Sequence, residues 1–198
     1  AEVNERTAEM IRSIRPQIDA ELPLLVEKIS GYAAEHKGEL REALLEAIRQ
    51  CALKARLLVE NGKKGKVCYI VVSLLASSFE TGRYDLQIAL HDEKYLLDFQ
   101  ECAGYFDYRF LHELFQPALE PALASLKKRF TRCKEYEIIR VRRTYDHQIG
   151  RLALQLVHSL LTNGEPVGLL PEIPVFASTV WLSMGYCRNG QSVTATLV

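Results

Sequence analysis

The sequence predicts an α+β protein with a mainly antiparallel sheet, because helical and strand-like patterns follow one another in blocks. Residues 1–61 show helical periodicity, residues 67–99 show strand patterns, residues 104–162 return to helical spacing, and residues 180–198 hold two apolar runs. A parallel sheet would need a helix between successive strands. We therefore expect an N-terminal helical hairpin, a β-meander at 67–99 and a C-terminal β-hairpin at 180–198, packed against helices within 104–162.

Composition indicates a folded chain with one core. Of its 198 residues 48% are hydrophobic, and 25 basic residues balance 25 acidic ones. A disordered chain would instead have few apolar residues and a large net charge. One core suffices for a chain of this length. We therefore expect a single domain over residues 1–198, with the helical segment 1–61 available as an arm for protein contacts.

Two helical patterns occupy the first sixty residues. Isoleucine and leucine recur at three- and four-residue steps over residues 4–36, and a second apolar stripe with this spacing covers residues 39–59. Pro16 and Pro23 interrupt the first pattern. Because proline removes a backbone donor and clashes with the preceding turn, we expect a kink or two shorter helices there. The lysine-rich cluster at 62–66 that follows is expected to be a flexible cationic turn.

Strand patterns follow this turn. Residues 67–79 are rich in β-branched and aromatic side chains on both faces, which is typical of a central strand. Residues 83–91 alternate apolar and polar side chains, which predicts a strand with one buried face. A reversal at Asp92 would then allow a third antiparallel strand through residues 95–99.

Helical spacing returns after the predicted meander. It covers residues 103–132, where Pro117 and Pro121 are expected to divide it, and continues in a second helix over residues 136–161. Near the C-terminus an Asn-Gly pair at 189–190 separates two apolar runs, which predicts a tight hairpin turn.

Charge and cysteine usage narrow the classes of function. A net charge of zero argues against nucleic-acid binding, and no apolar run approaches the roughly 20 residues that cross a bilayer. The five cysteines are widely spaced and include no C-x-x-C pair. We therefore expect free thiols in the cytoplasm rather than a disulfide framework or a cysteine zinc site. Whether a signal sequence precedes Ala1 stays open.

A basic stripe on the helix at 136–161 is one candidate binding surface. Residues about one turn apart share a helix face, and the side opposite the apolar face carries Arg140, Arg143, His147 and Arg151. Most basic stripes of this kind are the solvent-exposed face of a surface helix and bind nothing. The alternatives are a site for a small carboxylate or phosphate ligand, since guanidinium groups bind these anions, and a contact with an acidic protein.

The densest aromatic segment of the chain, residues 105–110, is a second candidate. On a helix Phe106 and Phe110 would share one face, while Tyr105 and Tyr108 would lie on another. Not all four rings can then enter one core. We therefore expect Tyr105 and Tyr108 to line a ligand pocket or a subunit interface.

Histidine adjoins a carboxylate at His91–Asp92, His112–Glu113 and Asp146–His147. These groups can bind divalent metals, but no spacing here is diagnostic of a site, so we predict no metal and no other cofactor. A nucleophilic Cys102 with His112 as its base is a weaker catalytic alternative. The sequence contains no phosphate-binding loop, dinucleotide fingerprint or nucleophile elbow.

These observations favour a non-catalytic cytoplasmic module that contacts another protein or a second copy of itself as a homodimer. The rival is a small-molecule or anion-binding protein, or an enzyme, that uses the Arg/His stripe of the helix at 136–161. Enzyme activity stays open, because an active site can be assembled from residues distant in sequence. Membrane and nucleic-acid partners are not expected.

Overall fold

The computed structural model of the protein describes residues 5–162, 175–186 and 192–197. In chain order the elements are α1 (Glu5–Glu35), α2 (Lys37–Glu60), β1 (Val67–Leu74), α3 (Ala76–Thr81), β2 (Asp85–His91), a 3₁₀ turn (Tyr95–Leu97), β3 (Ala103–Asp107), α4 (Arg109–Arg129), α5 (Glu135–Thr162), β4 (Phe176–Tyr186) and β5 (Ser192–Leu197). Two consecutive helices thus begin the chain, as predicted. None of the described helices is long and apolar enough to cross a bilayer.

Contacts along the chain divide it into two compact units. Unit 1 consists of Ala1–Glu35 and Arg109–Gly150, and unit 2 consists of His36–Tyr108 and Arg151–Val198. That the chain folds as a single domain stays a prediction.

Unit 1 packs α1, α4 and the first part of α5 around one apolar core. The core residues recur at three- or four-residue steps, as expected for amphipathic helices. They are Met10, Ile14, Ile18, Leu119, Ala122, Leu123, Leu126, Ile138, Val141 and Tyr145. At the start of α5, Arg6 donates a hydrogen bond to Glu137 at 2.6 Å. Glu137 also accepts the backbone N–H of Lys134 at 2.8 Å, so it ties α1 to the first turn of α5.

The long helices of unit 1 run through their prolines. Pro16 and Pro23 lie inside α1, and Pro117 and Pro121 lie inside α4. The division into shorter helices is therefore wrong, while the alternative prediction of a kink or bend at the prolines stays a prediction. Each proline costs a helix interior about 3 kcal/mol. The shared core outweighs that cost, because both helices bury a continuous apolar stripe against the other core helices.

Unit 2 contains a five-stranded sheet in the order β3-β2-β1-β4-β5. The pairs β1/β2, β2/β3 and β4/β5 are antiparallel, whereas β1/β4 is parallel. The α+β fold with a mainly antiparallel sheet is therefore confirmed. The C-terminal hairpin is also formed, with Val180 opposite Leu197. Its predicted Asn-Gly turn lies outside the described residues.

Three boundaries of the predicted meander are wrong. β1 ends at Leu74, and the short helix α3 replaces its expected continuation to residue 79. The expected strand at 95–99 is a 3₁₀ turn followed by a loop. The third strand is instead β3, where the sequence predicted the start of a helix. β3 forms because it pairs with β2, and such non-local pairing overrides local spacing.

The two faces of the sheet differ in chemistry. Paired residues point to the same face, and one face is apolar and buried; it includes Ile70, Val72, Leu86, Ile88, Leu90, Phe106, Leu182 and Met184. α2 packs on this face, where the Cys51 thiol donates to the Ile88 carbonyl at 3.5 Å. The opposite face, here called the open face, carries polar and aromatic side chains; they include Tyr69, Gln87, His91, Tyr105, Trp181 and Ser183.

Gly104 in β3 sets how closely α2 approaches the sheet. A Cβ atom at this position would lie 2.9 Å from the Cys51 sulfur and 3.0 Å from the carbonyl oxygen of Ala47. Ala47 contributes a backbone atom, so relief requires the helix itself to move. This approach explains why a glycine stands in a strand.

We expect Gly104→Ala to lower the free energy of unfolding by about 1–3 kcal/mol, because the added methyl group overpacks the helix–sheet contact. Chemical denaturation followed by circular dichroism measures the change. Gly38→Ala is the matched control, since nothing lies within 4 Å of a Cβ atom there. Equal stability of the two variants would contradict this account of the close approach.

Candidate functional site

A buried ion pair between Lys64 and Asp98 is the most unusual polar feature of unit 2. The two side chains are 0% and 2% exposed. The Lys64 ammonium donates to the Asp98 carboxylate and, at 3.1 Å, to the carbonyl oxygen of Gln100. Lysine and aspartate are almost never buried unless they are paired. The pair joins the turn before β1 to the β2–β3 loop, defined here as residues 92–102.

Two carboxylates organise the β2–β3 loop. Asp98 accepts the backbone N–H groups of Asp92 and Gln100, each at 3.0 Å. Asp92 accepts the N–H groups of Lys94 and Gly65, each at 2.9 Å. Aspartate side chains that bind nearby backbone donors favour turns over strands. This explains why the strand predicted at 95–99 does not form.

The ion pair also sets the charge of its neighbours. Burial opposes ionisation of Asp98, but hydrogen bonds from Lys64 and from two backbone N–H groups outweigh it and hold the pKa of Asp98 below its usual value. The Nδ1 atom of His91 lies 4.0 Å from Asp98 Oδ2. The pKa of His91 is nevertheless lowered, first by burial and then by the nearby Lys64 ammonium. Near neutral pH, Asp98 is therefore ionised and His91 is neutral.

Tyr95 holds the β2–β3 loop against the open face of the sheet. Its ring centroid lies 4.7 Å from that of Tyr69 and 6.2 Å from that of His91, and its hydroxyl lies 2.7 Å from the Ser183 hydroxyl. The φ angle of Tyr95 is 53°, in the left-handed region that residues other than glycine seldom adopt. Such strain persists only where the surrounding contacts determine the conformation. These contacts therefore fix the loop in one arrangement.

Leu97 and Phe99 lie on either side of Asp98 and are largely exposed. Their exposed fractions are 70% and 85%, although the aspartate between them is buried. This reverses the usual distribution of apolar and charged side chains. The backbone of Asp98 is extended, and successive side chains of an extended chain project to opposite sides. Burying the Asp98 carboxylate therefore directs Leu97 and Phe99, here called the apolar tip, toward solvent.

The basic stripe predicted on the helix at 136–161 lies on α5. Arg140, Arg143 and Arg151 are exposed, and His147 is half-buried. The Arg140 guanidinium lies 5.4 Å from the centroid of the Tyr136 ring, which is a cation–π contact. Arg140, Arg143 and His147 belong to unit 1, whereas Arg151 belongs to unit 2. An anion site on this helix stays a prediction.

The structure separates the two tyrosines predicted to line one surface. Tyr105 lies on the open face in β3 and is 52% exposed. Tyr108 is fully buried, and its ring meets the edge of the Tyr84 ring at a centroid distance of 6.1 Å. A strand places neighbouring positions on opposite faces, so the helical argument that grouped these residues does not apply.

Of the predicted histidine and carboxylate residues, the structure brings His112 and Asp146 together. His112 Nε2 lies 3.4 Å from Asp146 Oδ1, and both side chains are buried in unit 1. Within the described ranges, no group of three or more histidine, cysteine or acidic side chains is arranged to hold a metal. Cys102 is buried, and burial raises the pKa of its thiol, which disfavours the thiolate that a nucleophile needs.

The sequence did not single out the ion pair or the apolar tip. Lys64 stood in an expected flexible turn, and Leu97 and Phe99 in an expected strand. The partners Lys64 and Asp98 are 34 residues apart, so no local spacing connects them. Comparison with protein-family models, curated proteins and solved structures found no match to the chain. The site is therefore interpreted from its own chemistry.

We expect Lys64→Met to lower the free energy of unfolding by about 3–5 kcal/mol, because it leaves the Asp98 carboxylate buried without its cation. Lys63→Met is the matched control, since Lys63 is exposed in the same turn. Urea denaturation of both variants measures the difference. If both substitutions had the same small effect, the ion pair would not hold the loop.

The lowered pKa of His91 predicts a stability that depends on pH. The unfolded chain binds a proton near the ordinary pKa of histidine, about 6.5, while the folded chain binds it only at lower pH. The free energy of unfolding should therefore fall as the pH falls through this range. His91→Gln should reduce that fall, as measured by denaturation at a series of pH values. An unchanged pH profile in the variant would contradict the prediction.

Proposed function

We propose that the protein is a non-catalytic interaction module that binds a protein through the apolar tip of its β2–β3 loop. One observation carries the proposal: Leu97 and Phe99 are exposed, while the Asp98 carboxylate between them is fixed inside by Lys64. A preorganised anchor loses little conformational entropy on binding. Aromatic side chains that enter a partner's pocket supply much of the binding energy in many interfaces.

Stability of the protein alone does not explain this arrangement. Burying a leucine or phenylalanine side chain contributes about 1.5–3 kcal/mol, which the free protein does not gain at Leu97 and Phe99. A buried ion pair is also a weak source of stability. In many proteins the free-energy cost of removing the two charges from water is as large as the gain from their attraction. Binding would recover the burial that the free protein lacks.

The open face next to the loop extends the proposed contact surface. Two side chains cover far less than the roughly 800 Å² per partner of a standard interface. Tyr105 and Trp181 on the open face are 52% and 39% exposed, and tyrosine and tryptophan are enriched in interfaces. Tyr95 rests on the same face through Tyr69 and Ser183, so the loop and the open face adjoin.

Site-specific crosslinking tests the proposal. With a photoreactive benzoylphenylalanine in place of Phe99, irradiation in a lysate of cells that make the protein should give a discrete adduct with one protein or with a second copy of the chain. The crosslinker at Leu57, an exposed apolar position of α2, is the matched control and should not give that adduct.

A second measurement separates loss of contact from loss of fold. Phe99→Ser should leave the melting temperature unchanged, because the side chain is exposed, and should weaken binding to the crosslinked protein by at least roughly tenfold. The same adducts from both crosslinker positions, or full binding by Phe99→Ser, would rule out the apolar tip as the contact.

A further inference from the structure

Strand β3 forms one edge of the sheet, and β2 is its neighbour on the other side. In an antiparallel pair, every second residue exchanges both backbone hydrogen bonds with the residue opposite. The Leu90 N–H donates to the Cys102 carbonyl at 3.0 Å. The Tyr108 N–H donates to the Tyr84 carbonyl at 2.9 Å. These two bonds fix the alternation, so the backbone groups of even-numbered β3 residues face β2 and those of odd-numbered residues face the edge.

The outward backbone groups of β3 lie at an accessible edge. Tyr105 is 52% exposed, and Ala103 before it is half-buried. The Lys54 ammonium donates to the outward carbonyl of Ala103 at 3.1 Å, which covers one acceptor. Among the residues that the structure describes, no hydrogen bond reaches the backbone N–H or carbonyl of Tyr105. These two groups are therefore available to another strand.

The edge at β3 lacks most of the devices that keep sheet edges from pairing. Such devices include proline, β-bulges and charged side chains along the edge strand. β3 contains no proline, and its register with β2 is unbroken from Ala103 to Asp107. Lys54 reaches the carbonyl of Ala103, one residue pair away from the backbone groups of Tyr105. The middle of β3 is therefore open to pairing over a short length.

We infer that an extended segment of a partner protein adds to the sheet as a new edge strand along β3. This inference rests on the proposed function, which supplies a protein partner, and names how the backbone of that partner is held. Hydrogen bonds to the N–H and carbonyl of Tyr105 hold the segment, as in other cases of strand addition. The residue opposite Tyr105 shares the open face with its ring. An aromatic or β-branched residue fits there, because such cross-strand pairs are favourable.

The chemistry of the edge selects an extended polypeptide over other ligands. A strand edge presents alternating donors and acceptors at the spacing of a β-ladder, and another extended backbone matches that spacing. The edge also continues the surface of the proposed contact, because the β2–β3 loop that carries the apolar tip leads directly into β3. One extended segment can therefore contact both the apolar tip and β3.

Amide hydrogen exchange tests the inference, with a peptide selected from a display library of short random peptides against the full chain as the probe. NMR follows the exchange of each amide with and without the peptide. The amides of Ala103 and Tyr105 should exchange at least about tenfold more slowly in the complex, because they enter a new ladder. The amides of Gly104 and Phe106 already face β2, so they are the internal control and should change little.

Two substitutions at one position separate the backbone from the side chain. Tyr105→Pro removes the outward N–H and leaves the ladder with β2 intact, so it should weaken peptide binding at least about tenfold. Tyr105→Thr is the matched control, since it keeps the N–H and favours a strand, and it should weaken binding no more than about twofold. Circular dichroism checks that both variants are folded. Should the proline variant fail to fold, the exchange measurement on the unaltered chain decides.

The outcomes separate the inference from the proposed function. A peptide that requires Phe99 but leaves the Ala103 and Tyr105 amides unprotected would overturn strand addition and keep the apolar tip as a contact. Protection of both amides by a peptide that ignores Phe99→Ser would support strand addition and count against the apolar tip. Failure to enrich any peptide would overturn strand addition, and crosslinking at position 99 would then decide the proposed function. A dimer in the analytical ultracentrifuge that Tyr105→Pro dissociates would replace the partner protein by a second copy of the chain.

Discussion

The ion pair between Lys64 and Asp98 is the constraint on which the β2–β3 loop depends. It connects the turn before β1 with the loop after β2, two segments that the antiparallel pairing of β1 with β2 places at the same end of the sheet. Since an unpaired charge at either position would be costly in the interior, the two segments are strongly held together. With the Asp98 carboxylate held by Lys64, the carboxylates of Asp98 and Asp92 accept backbone N–H groups of the loop and form its turns.

The sheet supplies the second constraint, because its two faces are used differently. α2 covers the apolar face, and the close approach at Gly104 holds helix and strand in contact. Among the described residues the open face carries no comparable apolar stripe, and Tyr95 attaches the loop there through ring and hydroxyl contacts. One face of the sheet is thus apolar and covered by a helix, whereas the other is polar and aromatic, which is typical of an antiparallel sheet with one face toward solvent.

Sequence periodicity predicted the fold class, because helices and strands repeat their apolar positions at different intervals. It predicted the end of β2 at His91 and placed its start two residues early, because apolar and polar side chains alternate over most of residues 83–91. It failed between residues 95 and 107, where the structure depends on Lys64 and on the backbone of Ala47. Neither contact leaves a local signal, so the loop and the apolar tip were not predictable from spacing alone.

The pattern Leu97–Asp98–Phe99 shows why the direction of a side chain has to be argued from its partners. Hydrophobicity alone would direct Leu97 and Phe99 inward and Asp98 outward. Because the backbone is extended at Asp98, one side of the segment faces the interior. On that side the Asp98 carboxylate accepts hydrogen bonds from the Lys64 ammonium and from two backbone N–H groups. Apolar burial at Leu97 or Phe99 would leave those donors, including a lysine ammonium, without their acceptor. The cost of that loss is what keeps two large apolar side chains exposed to solvent.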